Sequence, residues 1–154
     1  MKSLTFLFVF LPIVQDVHEH PVRVVIDKSN YTLSVFRGDS LLTKYEIAVG
    51  RNPGNKQRVG DNRTPVGEFT ISQIQKSVSW VYDFSDGKGP IAGAYGPWFL
   101  RLQTPGWRGI GIHGTHDPSS LGTMATEGCI RLSNDHIAEL KKLVTIGTPV
   151  RISP

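Results

Sequence analysis

Cysteine is almost missing from this 154-residue chain. Cys129 is the single one, so no internal disulfide can form and stability must come from core packing. The same shortage leaves no resolving thiol for redox chemistry, no C-x-x-C pair and no lipobox cysteine. An H-E-x-x-H pair is also absent, and no apolar run reaches the roughly 20 residues that a membrane-spanning helix needs. Charge is modest as well: 17 Lys+Arg against 13 Asp+Glu give +4. The basic residues do not cluster, the longest run being Lys141-Lys142 on a solvated helix face, and no nucleic-acid motif accompanies them, so no nucleic-acid partner is expected. Internal repeats and low-complexity segments are lacking. A chain of this length suits one domain that buries roughly two-thirds of its unfolded surface, with no room for a second.

The N-terminus is the exception to this sparse pattern. Lys2 followed by the apolar stretch from Ser3 to Val14 has the shape of the n-region and h-region of a secretory signal peptide. The expectation is a targeting segment over residues 1–20 and a folded domain over 21–154, exported to the periplasm or cell envelope, with no stable membrane insertion after processing. No small-x-small cleavage triplet follows in Gln15-Asp16-Val17-His18-Glu19-His20. A buried N-terminal strand or helix is the alternative.

What is present points to β-structure. Val22 to Asp27 is an apolar run of strand length, Tyr31-Leu33-Val35 alternates with Thr32-Ser34-Phe36, and Tyr45-Ile47-Val49 alternates with Glu46-Ala48. Arg37-Gly38-Asp39-Ser40 reads as the turn between the second and third. Arg51 to Arg63 reads as a surface loop before Thr64-Pro65-Val66-Gly67, followed by a strand from Glu68 to Gln73. Trp98 to Leu102 and Gly109 to His113 read as strands paired around Thr104-Pro105-Gly106, which sets His113 at a strand end. One clear helix follows, capped by Ser133 or Asn134, with Asp135 in its first turn and Ile137, Leu140, Leu143 and Val144 on one face. It is expected to end near Gly147, before a last strand through Ile152. Cys129 then sits in a loop between β-structure and that helix.

The chemistry centres on two glycine-flanked residues, His113 in Gly111-Ile112-His113-Gly114-Thr115 and Cys129 in Thr126-Glu127-Gly128-Cys129-Ile130-Arg131-Leu132. Taken alone, a single Cys is more often a small buried apolar residue than a nucleophile, and a lone His in a glycine-rich loop is usually structural. Together they suit cysteine-based acyl transfer. Only about 3% of an ordinary thiol is ionised at pH 7, so a nucleophile needs a base, here His113, or a positive field, here Arg131. Gly128 removes a side chain that would block a substrate carbonyl, and backbone N–H groups beside it could line an oxyanion hole. A zinc site built from His113, His116, Asp117, Cys129 and His136 is the chemical rival. The spacing argues against it, because His113 and His116 lie in a Gly/Pro-containing loop where nothing makes them face together. No metal or other cofactor is implied.

The segment Ile110 to Leu132 resembles the signature of the L,D-transpeptidase catalytic domain family. Its pattern is a His-Gly-Thr-like start, a spacer such as Asp117-Pro118-Ser119-Ser120-Leu121-Gly122, then Ser/Thr-His-Gly-Cys with an aliphatic residue and Arg or Asn. Thr64-Pro65-Val66-Gly67-Glu68-Phe69 resembles the family's upstream Thr-Pro-x-Gly-x-Phe element, and Ser133 to Ile152 its closing helix, turn and strand. The likeness covers roughly residues 22 to 152. It implies a mainly β, curled sandwich or barrel-like domain with one principal helix after the catalytic Cys loop. It also implies peptidoglycan stem peptides as partners, Cys129 as nucleophile, His113 as proton donor and acceptor, and the Gly114 carbonyl orienting His113. Arg131, Thr126, Gly128 and Thr115 are the expected substrate-binding residues.

The implied reaction releases D-alanine from a tetrapeptide stem, leaves a thioester on Cys129 and forms a cross-link with an amine of another stem. Carbapenem acylation of Cys129 is part of the same resemblance. The aromatic clusters Trp80-Val81-Tyr82-Asp83-Phe84 and Tyr95-Gly96-Pro97-Trp98 fall where the family covers its cleft with a lid; ordinary core and loop aromatics are the alternative. One position departs from the pattern: Glu127 stands where the family usually has a histidine. Two alternatives stay open, a carboxypeptidase or cross-link hydrolase using the same site, and a catalytically weak peptidoglycan-binding module. Sequence does not separate the first from a transpeptidase, nor give the donor's third residue, the acceptor or the oligomeric state.

Overall fold

Two rows of aliphatic side chains run across the middle of the sheet in the computed structural model, which describes residues 20–154. The apolar stretch Ser3 to Val14 and the fate of the N-terminal segment lie outside the described residues. In chain order the strands are β1 (Val22–Asp27), β2 (Thr32–Arg37), β3 (Ser40–Glu46), β4 (Val49–Gly50), β5 (Gly67–Lys76), β6 (Val81–Tyr82), β7 (Ile91–Ala92), β8 (Trp98–Gln103), β9 (Gly111–His113), β10 (Met124–Thr126), β11 (Ile130–Arg131) and β12 (Pro149–Ser153). The helix α1 (Asn134–Leu143) lies between the last two. Eight strands form one sheet in the order β11-β9-β8-β5-β12-β1-β2-β3, and the pairs β10-β4 and β6-β7 stand apart. Val24 faces both Val35 and Val150, and Ile26 faces both Leu33 and Ile152. Period-two alternation puts all six on one side, and all are buried.

The sheet curls until its two ends meet. Just past β3, at one edge, Ala48 exchanges two hydrogen bonds of 2.9 Å with Arg131 in β11, at the other edge. This is the barrel-like architecture expected, with α1 contacting β8 and β9 and burying Ile137 and Leu140 completely. Each of those side chains is worth about 2–5 kcal/mol against truncation to alanine.

Several boundaries differ from the sequence reading. The third strand starts at Ser40 and stops at Glu46 instead of running from Tyr45 to Val49; Ala48 turns to β11, and Val49–Gly50 pairs in parallel with β10. β5 continues past Gln73 to Lys76 because a bulge between Ile71 and Gln73 restores its pairing with β8. α1 ends at Leu143, not near Gly147. Val144 is extended, as suits a β-branched run Val144-Thr145-Ile146, and the Gly147 N–H is taken by the Ile71 carbonyl of β5 at 2.7 Å. Ser133 is the cap, its Oγ accepting the His136 N–H at 3.2 Å. β11 separates Cys129 from the helix, so the thiol does not lead directly into α1.

Candidate active site

His113 ends β9 and is buried, with 3% of its surface exposed. Its ring stacks on Phe99 of the neighbouring strand at 5.5 Å and 5°, and meets Tyr95 edge-on at 4.9 Å and 80°. Nδ1 lies 2.6 Å from the Gly114 carbonyl oxygen. A carbonyl only accepts, so Nδ1 carries the proton and Nε2 keeps its lone pair. Burial pushes the imidazole down to about 3; the Gly114 bond opposes the shift, and Arg131 and His116 add to it. The histidine rests neutral.

β9 and β11 run parallel in the register Ile112 to Ile130 and His113 to Arg131. Carrying that register back one residue sets Cys129 beside Gly111, two residues before His113. Both functional side chains therefore leave the same face as diagonal neighbours. Cys129 is half-buried and its Sγ donates to the Gly109 carbonyl at 3.3 Å. Burial pushes the thiol up to about 11, only partly countered by the Gly111 N–H and Arg101, while Glu127 raises it further. Arg131 lowers it least of all these groups. Both shifts favour the neutral forms, with the thiol directed to the Gly109 carbonyl.

The loop around the thiol is held by side-chain hydroxyls. Thr126 Oγ1 donates to the Cys129 carbonyl at 2.6 Å and accepts the Gly128 N–H at 3.1 Å. That bond commits the Gly128 N–H, which corrects the expectation that it is free for an oxyanion hole. Thr64 Oγ1 donates to the Gly128 carbonyl and accepts the Gly50 N–H, each at 2.9 Å. Pinning that carbonyl turns the Cys129 N–H the opposite way across the planar peptide. Gly128 itself has φ +132°, and a Cβ there would lie 2.8 Å from the Arg63 carbonyl.

The remaining expected residues fall into different places. Arg131 is buried, lines the cleft and donates from Nη1 to Ser120 Oγ at 2.8 Å. Thr115 is not in the cleft wall; its Oγ1 accepts the Asp117 N–H and its own N–H donates to Asn134 Oδ1, each at 2.8 Å, so it fixes the turn after His113. Glu127 is exposed and accepts from the Tyr82 hydroxyl at 2.8 Å, not from Arg131. His116 packs on Phe84 at 5.3 Å and His136 on Tyr45 at 4.8 Å. Among the described residues no three His, Cys, Asp or Glu side chains converge as a ligand set.

His113 and Cys129 open into a cleft of about 460 Å³. One wall is the loop Lys56 to Asn62, the other the aromatics Tyr82, Phe84 and Tyr95. The family model of the L,D-transpeptidase catalytic domain, YkuD, matches residues 21–152.

The chain belongs to the L,D-transpeptidase catalytic domain family.

The YkuD protein of Bacillus licheniformis is 31% identical over 146 residues, 95% of this chain and 74% of its own length. Among solved structures, an L,D-transpeptidase from Mycobacterium smegmatis superposes with a TM-score of 0.64 at 23% identity, over 86% of this chain and 58% of that one. The LD transpeptidase LdtMt1, solved in complex with imipenem, gives a TM-score of 0.64 at 22% identity, over 86% of this chain and 58% of its own. This domain thus spans less than two-thirds of both solved chains, and at these identities the likeness establishes the fold.

Sequence reasoning missed three supports of this L,D-transpeptidase site. Thr64 acts on Gly128 from 64 positions away. Asp61 organises the loop from Lys56: it accepts from Lys56 Nζ at 2.8 Å and from the N–H groups of Gln57, Arg58 and Arg63, bonds that hold its carboxyl well below the usual range although burial works the other way. Lys28 reaches the carbonyls of Gly54 and Thr64 at 2.6 and 2.9 Å. The Asp at the end of a Gly/Asn-rich loop is the one signal that could have marked the second of these.

Proposed function

We propose that this domain is a peptidoglycan L,D-transpeptidase in which Cys129 is the nucleophile and His113 the proton carrier. The observation that supports it most is the parallel register of β9 and β11, which sets both side chains on one face while the Gly114 carbonyl holds Nδ1 and leaves Nε2 as the acceptor. Cys129 Sγ attacks the carbonyl between the L-centre of a stem's third residue and the terminal D-alanine, and its proton passes to His113 Nε2. Both groups rest neutral, so the proton moves with the attack. The oxyanion meets the Cys129 N–H. The C–N bond breaks, D-alanine leaves with the proton from His113, and a thioester remains. An amine of a second stem then attacks, the C–S bond breaks, and His113 returns a proton to the sulfur.

Stem carboxylates face a cleft whose wall carries Arg108 and Arg131. Thr126 lines the cleft beside the thiol, buried Gly128 shapes the loop from behind it, and Thr115 acts one step back through the His113 turn. The substrate lies outside the cytoplasmic membrane, so this reading includes export, with the apolar segment from Ser3 to Val14 as the signal. No helix among the described residues is long and apolar enough to cross a membrane. The test is product analysis from a disaccharide-tetrapeptide. A cross-linked dimer together with D-alanine is expected; tripeptide and D-alanine alone would make the protein a carboxypeptidase, with water as the acceptor.

A further inference from the structure

The cleft wall carries three cations, Lys56, Arg108 and Arg131, and a single carboxylate, Glu127. Two of the cations are engaged, Lys56 with Asp61 and Arg131 with Ser120, each at 2.8 Å. Glu127 is different. It is exposed, stands two residues before the nucleophile, and forms no ion pair among the described residues. The Tyr82 hydroxyl fixes one of its oxygens at 2.8 Å without cancelling its charge. For the first half of the reaction this charge is a burden, since a carboxylate near the thiol opposes thiolate formation.

We propose that Glu127 recognises the ammonium group of the acyl acceptor, an assignment that rests on the transpeptidase reading above. The acceptor amine arrives protonated, and the lone carboxylate in a cationic cleft holds it beside the thioester carbonyl. One proton then leaves to solvent, the free amine attacks and the C–N bond forms. The C–S bond breaks, and the second proton reaches the leaving sulfur through His113. An amide, a neutral thiol and one released proton balance the step. A carboxylate holds an ammonium more tightly than it speeds its deprotonation, so the benefit falls on acceptor KM.

The experiment offers two amines together during turnover of a disaccharide-tetrapeptide at neutral pH. One is Nα-acetyl-lysine amide, an ammonium at that pH; the other is hydroxylamine, which is neutral. The readout is the ratio of the amide to the hydroxamate product, which does not depend on the acylation rate. Glu127→Gln keeps an oxygen for Tyr82 and is expected to lower the ratio about fivefold, the scale of an exposed ion pair. Glu127→Lys should lower it further. Added salt should lower the wild-type ratio and leave that of Glu127→Gln flat. A ratio that stays at the wild-type value in both variants while acyl-enzyme forms overturns the acceptor assignment and leaves the transpeptidase reading standing. Failure of the wild type to form acyl-enzyme overturns both.

Discussion

The two sides of the cleft are built to different standards. On the side of β9 and β11, His113, Thr115, Thr126 and Arg131 are all buried, and each is held by at least one hydrogen bond of 2.6–2.8 Å. On the other side the hairpin β6–β7 contributes two residue pairs, exposed Val81, and aromatic edges: Phe84 on Tyr82 at 4.8 Å, Tyr82 on Tyr95 at 5.5 Å. Among the described residues, Tyr82 donates to Glu127 at 2.8 Å and His116 Nδ1 lies 3.3 Å from the Ala94 carbonyl, so the two sides are tied by few polar contacts. Bond making needs groups held within about 1 Å of their productive geometry, which a buried, hydrogen-bonded wall supplies. Admission and selection of long stem peptides need a surface that yields. On the proposed reading, reaction chemistry sits on the sheet side and acceptor selectivity at the contact between Tyr82 of the hairpin and Glu127 of the thiol loop.

The rigid side breaks first at Thr64. Thr64→Val keeps the shape but leaves the Gly50 N–H and the Gly128 carbonyl without their partner. Each unsatisfied buried group costs about 1–3 kcal/mol. A lower urea midpoint and slower acylation of Cys129 are expected, and Thr64→Ser should restore both; a variant with wild-type acylation would remove Thr64 from the positioning of the thiol.

The next effect is set by pH. His113 sits near 3 in the fold against an ordinary 6.5, so it stays neutral where the unfolded chain takes up a proton. Its contribution to stability is complete above the unfolded value and is lost as pH falls below it, at a slope of about 1.4 kcal/mol per unit at most. The urea midpoint should fall from pH 7 to 4.5, and His113→Gln should flatten that fall. Equal slopes would mean that His113 ionises freely in the fold. The yielding side gives the smallest response: Tyr82→Phe removes one exposed hydrogen bond, so melting should shift by no more than that of an ordinary surface substitution, within about 0.5 kcal/mol, while acceptor selectivity changes. A large loss of stability would make the hairpin part of the rigid wall.

Residues that act within a few positions of one another are readable from sequence; those that act across the curl are not. Cys129 and His113 stand out because each is flanked by glycine, and β1 follows from a continuous apolar run, β2 from alternation, β8 from the turn beside it and β12 from the break after the helix. The end of β3 is hidden because Ile47 and Val49 stay buried after their partner changes, so period two continues through the break. The end of α1 is hidden in the same way, since buried Val144 prolongs the apolar face beyond the last helical residue. Thr64 and Asn134 give no local sign of their partners, Gly128 and Thr115, which only the closed sheet brings near. Glu127 is visible as a departure from the family pattern, but its bond to Tyr82 spans 45 positions.

The most direct test of a neutral, register-placed Cys129–His113 pair is intact-mass spectrometry after incubation with a carbapenem and, separately, with a disaccharide-tetrapeptide. The wild type should gain the mass of the carbapenem and release D-alanine from the tetrapeptide, and Cys129→Ala should do neither. A wild type that takes up no carbapenem and releases no D-alanine would contradict the account and leave a peptidoglycan-binding module with a silent thiol.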